Sequence, residues 1–278
     1  MQTLKDLAVL CTSTCTSKDG STEISGITLQ SAAVQPGDMF AALPGLHVHG
    51  AHFVEDACQR GASAVLTDPE GARIVASTGV NNIPLLVVDD IRAVLGRVSA
   101  AIYGNPSYDV PVIGITGTSG KTTTSYLIES AFRTAGHSVG MIGTTGSRIN
   151  GVRVPSSLTT PEAPDLQRLF ATMRDDGVHR IVMEVSSHSL LLGRVGGTRF
   201  RIGAFLNLSQ DHLDFHHTME EYFQAKARLF TKDSGTCCDR AVICIDDSWG
   251  LRMRDIAEAS GCTPVTVSTT GNLSLIHI

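Results

Sequence analysis

The chain has 278 residues, of which 42 % are apolar and 18 % are charged, and its formal net charge is −5. This length suits two domains, and the apolar fraction is large enough for both to bury a core, which excludes a disordered chain. The mild acidity and the lack of a basic run exclude the electrostatic footprint of a nucleic-acid-binding protein.

The cysteines and the N-terminus indicate where the protein works. Seven cysteines are scattered along the chain without a Cys-x-x-Cys pair, which favours reduced thiols over a disulfide framework or a zinc site. Residues Met1–Lys18 lack the charged start and apolar run of a signal peptide, and apolar runs such as Ile83–Val88 are too short to span a bilayer. We therefore expect a cytoplasmic protein without membrane insertion. We also expect it to be monomeric.

The first hundred residues alternate between short apolar runs and helical patterns, which is typical of α/β proteins. Strands are predicted at Glu23–Leu29, Asp38–Ala42, Ser63–Thr67 and Ile83–Val88, and helices at Thr3–Leu10, Ala51–Arg60 and from Asp89 or Asp90 to about Tyr103. Gly104-Asn105-Pro106-Ser107 then interrupts the pattern. We therefore predict a small N-terminal α/β domain at residues 1–103, a linker at 104–110 and a central domain at 111–278.

The central domain continues the alternation, which predicts a mainly parallel sheet. Strands are predicted at Val112–Thr116, Val139–Ile142, Ser147–Ile149, Val152–Val154, Ile181–Val185, Ile202–Leu206, Ala241–Ile245 and Val265–Val267. Helices are predicted at Lys121–Ala135, from Thr160 with Pro161 at the first position, at Thr218–Phe230 behind a capping box, and at Ser248–Ser260. The last residues, Leu273–Ile278, fit neither a helix nor a closing strand. We expect a truncated sequence with an unnatural tail and an incomplete sheet.

A glycine-rich loop, Gly117-Thr118-Ser119-Gly120-Lys121-Thr122-Thr123, follows a predicted strand and opens a predicted helix. This setting predicts a phosphate-binding loop, because glycines let the backbone N–H groups face phosphates and the helix N-terminus favours negative charge. Lys121 would neutralise phosphate charge, and Thr122 would offer a hydroxyl to Mg²⁺. The general motif wants a glycine where this chain has Ile115, so only its second half matches.

Two polar segments, Glu184–His188 and Asn207–His212, each follow a buried strand. The carboxyl ends of parallel strands are where open α/β sheets bind ligands, and a carboxylate there can hold Mg²⁺. On these residues alone, an ordinary hydrophilic strand exit remains the alternative. His212, His216 and His217 have the spacing of a zinc site, but the intervening aspartates and the loop-like sequence argue against one.

Lys226 lies between two alanines in the predicted helix Thr218–Phe230. An exposed helical lysine and a functional lysine are both compatible with the local sequence. A lysine amine can also react with CO₂ and become a carbamate, which is a metal ligand.

Taken together, these segments resemble the Mur ligases. Four blocks match in order and spacing: Gly117–Thr123, Ser157-Leu158-Thr159-Thr160-Pro161, Glu184–His188, and Asn207–Phe215 followed by Lys226. The resemblance implies an ATP-dependent ligase of peptidoglycan synthesis. Such an enzyme would add a diamino acid, meso-diaminopimelate or L-lysine, to the D-glutamate of UDP-MurNAc-L-Ala-D-Glu through an acyl phosphate. ATP and Mg²⁺ are the cofactors that it implies, and the N-terminal domain would bind the UDP-sugar.

The resemblance also assigns roles to individual residues. It places Lys121, Lys226, His212 and Glu184 in catalysis, and Thr122, Glu184, His212 and a carbamylated Lys226 at metal positions. It places Thr159, Thr160, Ser186 and Arg194 against the sugar-nucleotide peptide, and Leu29 and Ser31 on the uridine side. Leu158, Leu192 and Gln30 depart from residues common in the family, and the resemblance implies a third, amino-acid-binding domain beyond this chain.

Two alternatives stay open at this point. A folylpolyglutamate-synthase-like ligase would share the phosphate loop and the acyl-phosphate chemistry, but residues 1–103 fit it poorly. A fragment that binds nucleotide and UDP-sugar without turnover is the second alternative. Nucleotide hydrolysis that depends on the peptide substrate would separate turnover from binding alone.

Overall fold

The computed structural model describes residues 2–12, 20–80, 82–154 and 159–269. The chain forms two compact units, Met1–Pro106 with Ala163–Ala171, and Ser107–Glu162 with Thr172–Ile278. Both have the alternating strands and helices predicted from the sequence, which confirms the α/β class. Within the described ranges, no helix is long and apolar enough to cross a membrane. The predicted tail Leu273–Ile278 and the motif residues Ser157 and Leu158 lie outside these ranges.

The first unit is built on a four-stranded parallel sheet. Its elements are β1 (Gln2–Thr3), α1 (Leu4–Leu10), β2 (Glu23–Ile24), β3 (Gly26–Thr28), β4 (Asp38–Ala41), α2 (Val54–Gln59), β5 (Ala64–Thr67), α3 (Pro69–Ser77), β6 (Leu85–Val87) and α4 (Ile91–Ile102). Strands β3, β4, β5 and β6 pair in that order, and β1 pairs with β2. Neighbouring residues of β4 pack into different core clusters, Met39 into one and Phe40 into the other. The sheet is therefore buried on both faces, as parallel sheets require.

Two predictions for this unit need correction. The predicted strand Glu23–Leu29 is two strands, because the chain leaves its pairing with β1 at Ser25 and pairs with β4 from Gly26 onward. Helix α3 was not predicted, although Asp68 and Pro69 signal its start. The Asp68 carboxylate accepts a hydrogen bond from the Gly71 N–H (2.7 Å), and proline occupies the first turn.

The second unit contains an eight-stranded sheet. Its elements are α5 (Pro106–Asp109), β7 (Val112–Thr116), α6 (Lys121–Thr134), β8 (Val139–Gly143), β9 (Gly146–Ile149), β10 (Val152–Val154), the end of α7 (Ala163–Asp175, of which Ala163–Ala171 belong to the first unit), β11 (Arg180–Glu184), α8 (Ser187–Leu191), β12 (Phe200–Phe205), α9 (Leu213–His216), α10 (Met219–Ala227), β13 (Arg240–Cys244), α11 (Ser248–Ala259) and β14 (Val265–Val267). The strand order is β10-β9-β8-β11-β7-β12-β13-β14. The six strands from β8 to β14 in this order are parallel, and β9 and β10 add an antiparallel hairpin at one edge.

The helices of this unit depart from the sequence prediction in several places. The helix expected at Pro161 begins at Ala163 instead: the Thr160 hydroxyl donates to the Glu184 carbonyl (3.0 Å), and Glu162, the residue before the helix, is extended. Pro164 is the proline in its first turn. Helix α10 ends at Ala227 rather than Phe230, and α8 was not predicted at all.

Candidate active site

The phosphate loop connects the carboxyl end of β7 to the start of α6. Gly117 has φ 154° and Gly120 has φ 85°, and residues other than glycine rarely adopt these backbone conformations. A Cβ atom on Gly117 would lie 3.0 Å from the Leu206 Cβ, so a side chain at this position would also crowd Leu206. The first N–H groups of α6 have no partner within the helix, and they carry the positive end of its dipole. The loop therefore has the structure of an anion site.

The Lys121 amine folds back over this loop. Its Nζ donates to the carbonyl oxygens of Gly117 and Thr118, both at 2.8 Å. Burial lowers the pKa of Lys121, and the nearby carboxylates of Glu184 and Asp211 act in the opposite direction. The amine is thus held where a phosphate group would meet it.

Glu184 is fully buried at the end of β11, beside the loop. Its Oε1 and Oε2 accept from the Thr122 hydroxyl at 3.0 and 3.1 Å, and from the N–H and hydroxyl of Thr144, both at 3.0 Å. These donors replace the water that a buried carboxylate loses. The carboxylate is consequently fixed against the first turn of α6.

Gly143, at the end of β8, makes room for this carboxylate. A Cβ atom built on Gly143 would lie 2.9 Å from the Glu184 Cδ and 3.1 Å from its Cγ. We expect Gly143→Ala to lower the free energy of unfolding by about 1–3 kcal/mol, as overpacking does elsewhere. Urea denaturation measures this loss. In Gly143→Ala/Glu184→Asp the shorter acid relieves the crowding, so the double variant should lose less than the two single losses added together; additive losses would contradict the proposed contact.

The side-chain oxygen atoms at this edge of the sheet are ligands of the kind that Mg²⁺ prefers. Thr122 and Glu184 supply hard oxygen atoms next to a phosphate loop, and Mg²⁺ is commonly held by one or two carboxylates together with substrate phosphates. The described residues contain no group of three or more His, Cys, Asp or Glu side chains that could hold a metal ion by themselves. A site completed by nucleotide phosphates does not need one.

Lys226, on α10, is 1 % exposed, so it is not the surface lysine that its local sequence allowed. Its Nζ donates to the Gly117 carbonyl (2.9 Å), the same oxygen that Lys121 contacts, and lies 4.4 Å from the centre of the Tyr222 ring. Burial lowers its pKa to about 7, and the Lys121 charge adds to the effect. This shift increases the unprotonated fraction of Lys226 near neutral pH, and an unprotonated amine is the form that reacts with CO₂.

A cluster of aromatic rings lies next to Lys226. His188 stacks on Phe215 with ring centres 4.1 Å apart, and His212 meets His188 edge-on at 5.0 Å. His216 is buried and its Nε2 is 2.8 Å from the Ser187 hydroxyl; burial, then the His188 ring, lowers the pKa of His216 to about 4. His188, His212, His216 and Phe215 thus form a packed set of rings beside Lys226.

Family models match both parts of the chain. The model of the Mur ligase middle domain matches residues 115–277, which is more than half of the chain, and the model described as Mur ligase family, catalytic domain, matches residues 23–103. The chain belongs to the Mur ligase family.

Individual Mur ligases are similar over most of this chain. It is 54 % identical over 253 residues to UDP-N-acetylmuramoyl-L-alanyl-D-glutamate--2,6-diaminopimelate ligase of Corynebacterium glutamicum, covering 91 % of this chain and 48 % of that protein. The Streptomyces coelicolor ligase of the same name is 53 % identical over 254 residues, with 91 % and 48 % covered. The chain thus spans about half the length of these curated relatives.

Solved structures show the same fold. A UDP-N-acetylmuramoyl-L-alanyl-D-glutamate--2,6-diaminopimelate ligase aligns with a TM-score of 0.79 at 29 % identity, over 98 % of this chain and 53 % of that one. A MurF structure from Acinetobacter baumannii aligns with a TM-score of 0.64 at 18 % identity, over 96 % and 52 %. The second likeness is one of fold alone.

The substrate residues predicted from the Mur ligase resemblance lie in both units. In the second unit, Thr160 bonds the Glu184 carbonyl, Ser186 caps α8 by accepting from the Ser189 N–H (3.1 Å), and Arg194 pairs with Glu162 (2.8 Å). Thr159 is half-buried. Thr160 and Ser186 therefore lie at the carboxyl end of β11, where Glu184 is located.

Two predicted uridine-side residues lie in the first unit. Leu29 is half-buried and packs against the core behind β3. Ser31 opens a short 3₁₀ turn at Ser31–Ala33 and hydrogen-bonds Asp56, which contributes to a lowered pKa of that carboxyl.

Two residues that contact this candidate site were not predicted. Thr144 gives Glu184 two of its hydrogen bonds, and it directly follows β8, so the rule that singled out the ends of β11 and β12 applies to it equally. Tyr222 lies under Lys226 and its hydroxyl is 3.3 Å from the Thr118 hydroxyl. No sequence signal distinguishes Tyr222 from an ordinary core tyrosine.

Proposed function

We propose that the polypeptide carrying this chain is an ATP-dependent ligase that extends UDP-MurNAc-L-Ala-D-Glu by a diamino acid in peptidoglycan synthesis. The proposal rests on one observation. Lys121 and Lys226 both donate a hydrogen bond to the Gly117 carbonyl, beside the hydrogen-bonded pair Thr122 and Glu184. The names of the similar ligases favour 2,6-diaminopimelate over L-lysine as the diamino acid.

The chemistry explains why such an enzyme needs a phosphate loop. A carboxylate is a poor electrophile at neutral pH, so ATP first phosphorylates the D-glutamate side chain, and the amine of the diamino acid then displaces phosphate to form the amide. Charge moves between phosphate oxygens during the first step, and fixed positive groups that meet this charge lower the barrier. Lys121 and the N–H groups at the start of α6 are those groups in this chain.

The remaining site residues bind and orient. Thr122 and Glu184 would hold Mg²⁺, which screens phosphate charge when bound. His212 and a carbamylated Lys226 complete the proposed metal positions. Thr159, Thr160, Ser186 and Arg194 would orient the peptide carboxylate towards the phosphate loop.

The two parts of the chain have separate roles in this proposal. Residues 1–103 would bind the UDP-sugar through Leu29 and Ser31, and residues 111–278 would bind ATP. Residues 104–110 would be the linker between these two domains. The separate family matches at 23–103 and 115–277 support this division and favour it over a folylpolyglutamate-synthase-like ligase. A cytoplasmic, monomeric protein is part of the same expectation.

Release of ADP tests the proposed reaction. The polypeptide would be incubated with ATP, Mg²⁺, UDP-MurNAc-L-Ala-D-Glu and either 2,6-diaminopimelate or L-lysine, with each component omitted in turn. We expect ADP and the tripeptide product, seen by mass spectrometry, only when all components are present, and more product with 2,6-diaminopimelate. Thermal stabilisation by nucleotide and UDP-sugar without any ADP release would indicate a binding module instead.

A further inference from the structure

Asn207 binds the phosphate loop through its side chain. It lies two residues beyond the end of β12, and its Oδ1 accepts from the Thr118 N–H (3.1 Å) and the Ser119 N–H (3.0 Å). Its Nδ2 donates to the Ser119 carbonyl (3.2 Å). The carboxamide therefore satisfies three main-chain groups of two successive loop residues.

The main chain beside Asn207 strengthens this attachment. The Asn207 carbonyl also accepts from the Thr118 N–H (3.1 Å), and the Ser209 N–H donates to the Thr118 hydroxyl (3.0 Å). The same hydroxyl lies 3.2 Å from the Ser209 carbonyl and 3.3 Å from the Tyr222 hydroxyl. The first half of the loop is thus bound to the strand exit, while its second half continues into α6.

We propose that Asn207 is a positioning residue that closes the phosphate loop around the nucleotide. It occupies the N–H groups of Thr118 and Ser119, and it leaves those of the following residues, from Gly120 into the first turn of α6, directed at phosphate. The proposal rests on the nucleotide-binding function proposed above.

Flexibility explains why the loop needs this contact. Gly117 and Gly120 flank the two bound residues, and glycine loses more conformational freedom on ordering than any other residue. A loop that is already ordered by Asn207 does not lose that freedom again when a ligand binds, so its affinity is higher. Because Lys121 and Lys226 both bond the Gly117 carbonyl, the same contact also fixes the oxygen on which the two amines meet.

Three variants test the role of Asn207. Asn207→Ala removes the carboxamide, Asn207→Asp keeps an oxygen that can accept from both N–H groups, and Asn82→Ala makes the same change at an exposed position as the control. Equilibrium titration gives the Kd for MgADP, and steady-state kinetics give kcat and the KM for ATP. Circular dichroism and the thermal midpoint without ligand show whether each variant is folded.

We expect Asn207→Ala to raise the Kd for MgADP and the KM for ATP by about ten-fold or more, the size expected from losing two or three net hydrogen bonds. The kcat at saturating ATP should fall less than kcat/KM, because bound phosphates can reorder the loop. Asn207→Asp should recover much of the MgADP affinity at high ionic strength, where the repulsion between its carboxylate and the phosphates is screened.

The outcomes separate this inference from the proposed function. If the parent protein binds no nucleotide, the proposed function fails. The role of Asn207 is overturned if the parent binds MgADP and Asn207→Ala binds it as tightly as Asn82→Ala does. It is also overturned if the folded Asn207→Asp variant at high ionic strength is no tighter than Asn207→Ala, or if kcat falls while the KM for ATP stays constant.

Discussion

Lys121→Ala should lower kcat/KM for ATP by about two to three orders of magnitude, the usual loss when one fixed donor to transition-state charge is removed. In this structure the amine also bonds the Gly117 and Thr118 carbonyls, so the substitution loosens the loop as well as removing the charge. The measurement is ADP release under saturating peptide substrate and diamino acid, with ATP varied.

Lys232→Ala is the matched control, because Lys232 is an exposed lysine of the same unit. We expect it to retain the parent rate. Turnover like that of the parent in Lys121→Ala would show that the Gly117–Thr123 loop does not bind the transferred phosphate. Lys121→Arg should not restore activity, because a larger planar guanidinium does not fit where a compact ammonium makes two short hydrogen bonds.

Lys226→Ala should abolish ligation, with a loss of at least about a hundred-fold, and acetate at high concentration should restore part of the rate. The reason is the burial of an amine with a pKa of about 7, which lets CO₂ convert it to a carbamate whose oxygens can hold metal. Acetate supplies a similar carboxylate to the space that alanine leaves. Amide formation is measured with and without acetate, with sodium chloride at equal ionic strength as the control.

Removing CO₂ from the parent protein tests the same role without mutation. Activity should fall in CO₂-free buffer and return with bicarbonate, and Lys226→Ala should show no such response. If Lys226→Ala were as active as the parent, the predicted catalytic role of Lys226 would be wrong and its role would be purely structural.

The stability of the folded chain gives an independent check on the buried amine. The folded pKa of Lys226 is lowered from 10.5 to about 7, so between these pH values the unfolded chain binds the proton and the folded chain does not. In CO₂-free buffer the stability of the parent should therefore rise with pH across this window, and the cost of burial should be fully present below pH 7. Lys226→Met lacks this amine and should be the more stable protein at pH 6, with the difference shrinking as pH approaches 10.5.

The sequence predicted the parts of the site that depend on local patterns. The glycines of the phosphate loop and the polar residue that ends β11 are visible because backbone conformation and strand exits leave a local signature. The burial of Lys226 is not visible in this way. It depends on α10 packing over the loop so that Nζ reaches the Gly117 carbonyl, which is 109 residues away in sequence. The roles of Asn207 and Thr144 depend likewise on which strands become neighbours.

The errors in the predicted elements have physical causes of the same kind. The strand expected at Glu23–Leu29 has continuous β propensity, but pairing with two different partners divides it. Thr160 and Pro161 have the composition of a helix start, yet a long-range hydrogen bond to the Glu184 carbonyl keeps Thr160 out of the helix. In both segments, tertiary contacts outweighed the local conformational preference of the sequence.

The four hydrogen bonds at Glu184 have a consequence for how a metal ion is exchanged. A buried carboxylate without partners would be strongly destabilising, and such a site would retain an ion tightly because losing it would expose that cost. Here the Thr122 hydroxyl and the two Thr144 groups already solvate both oxygens. A cation that arrived with a nucleotide would therefore replace one set of partners by another. We therefore expect the free-energy change of that replacement to be small in either direction, so that an Mg²⁺ ion held at Glu184 would leave readily together with the nucleotide.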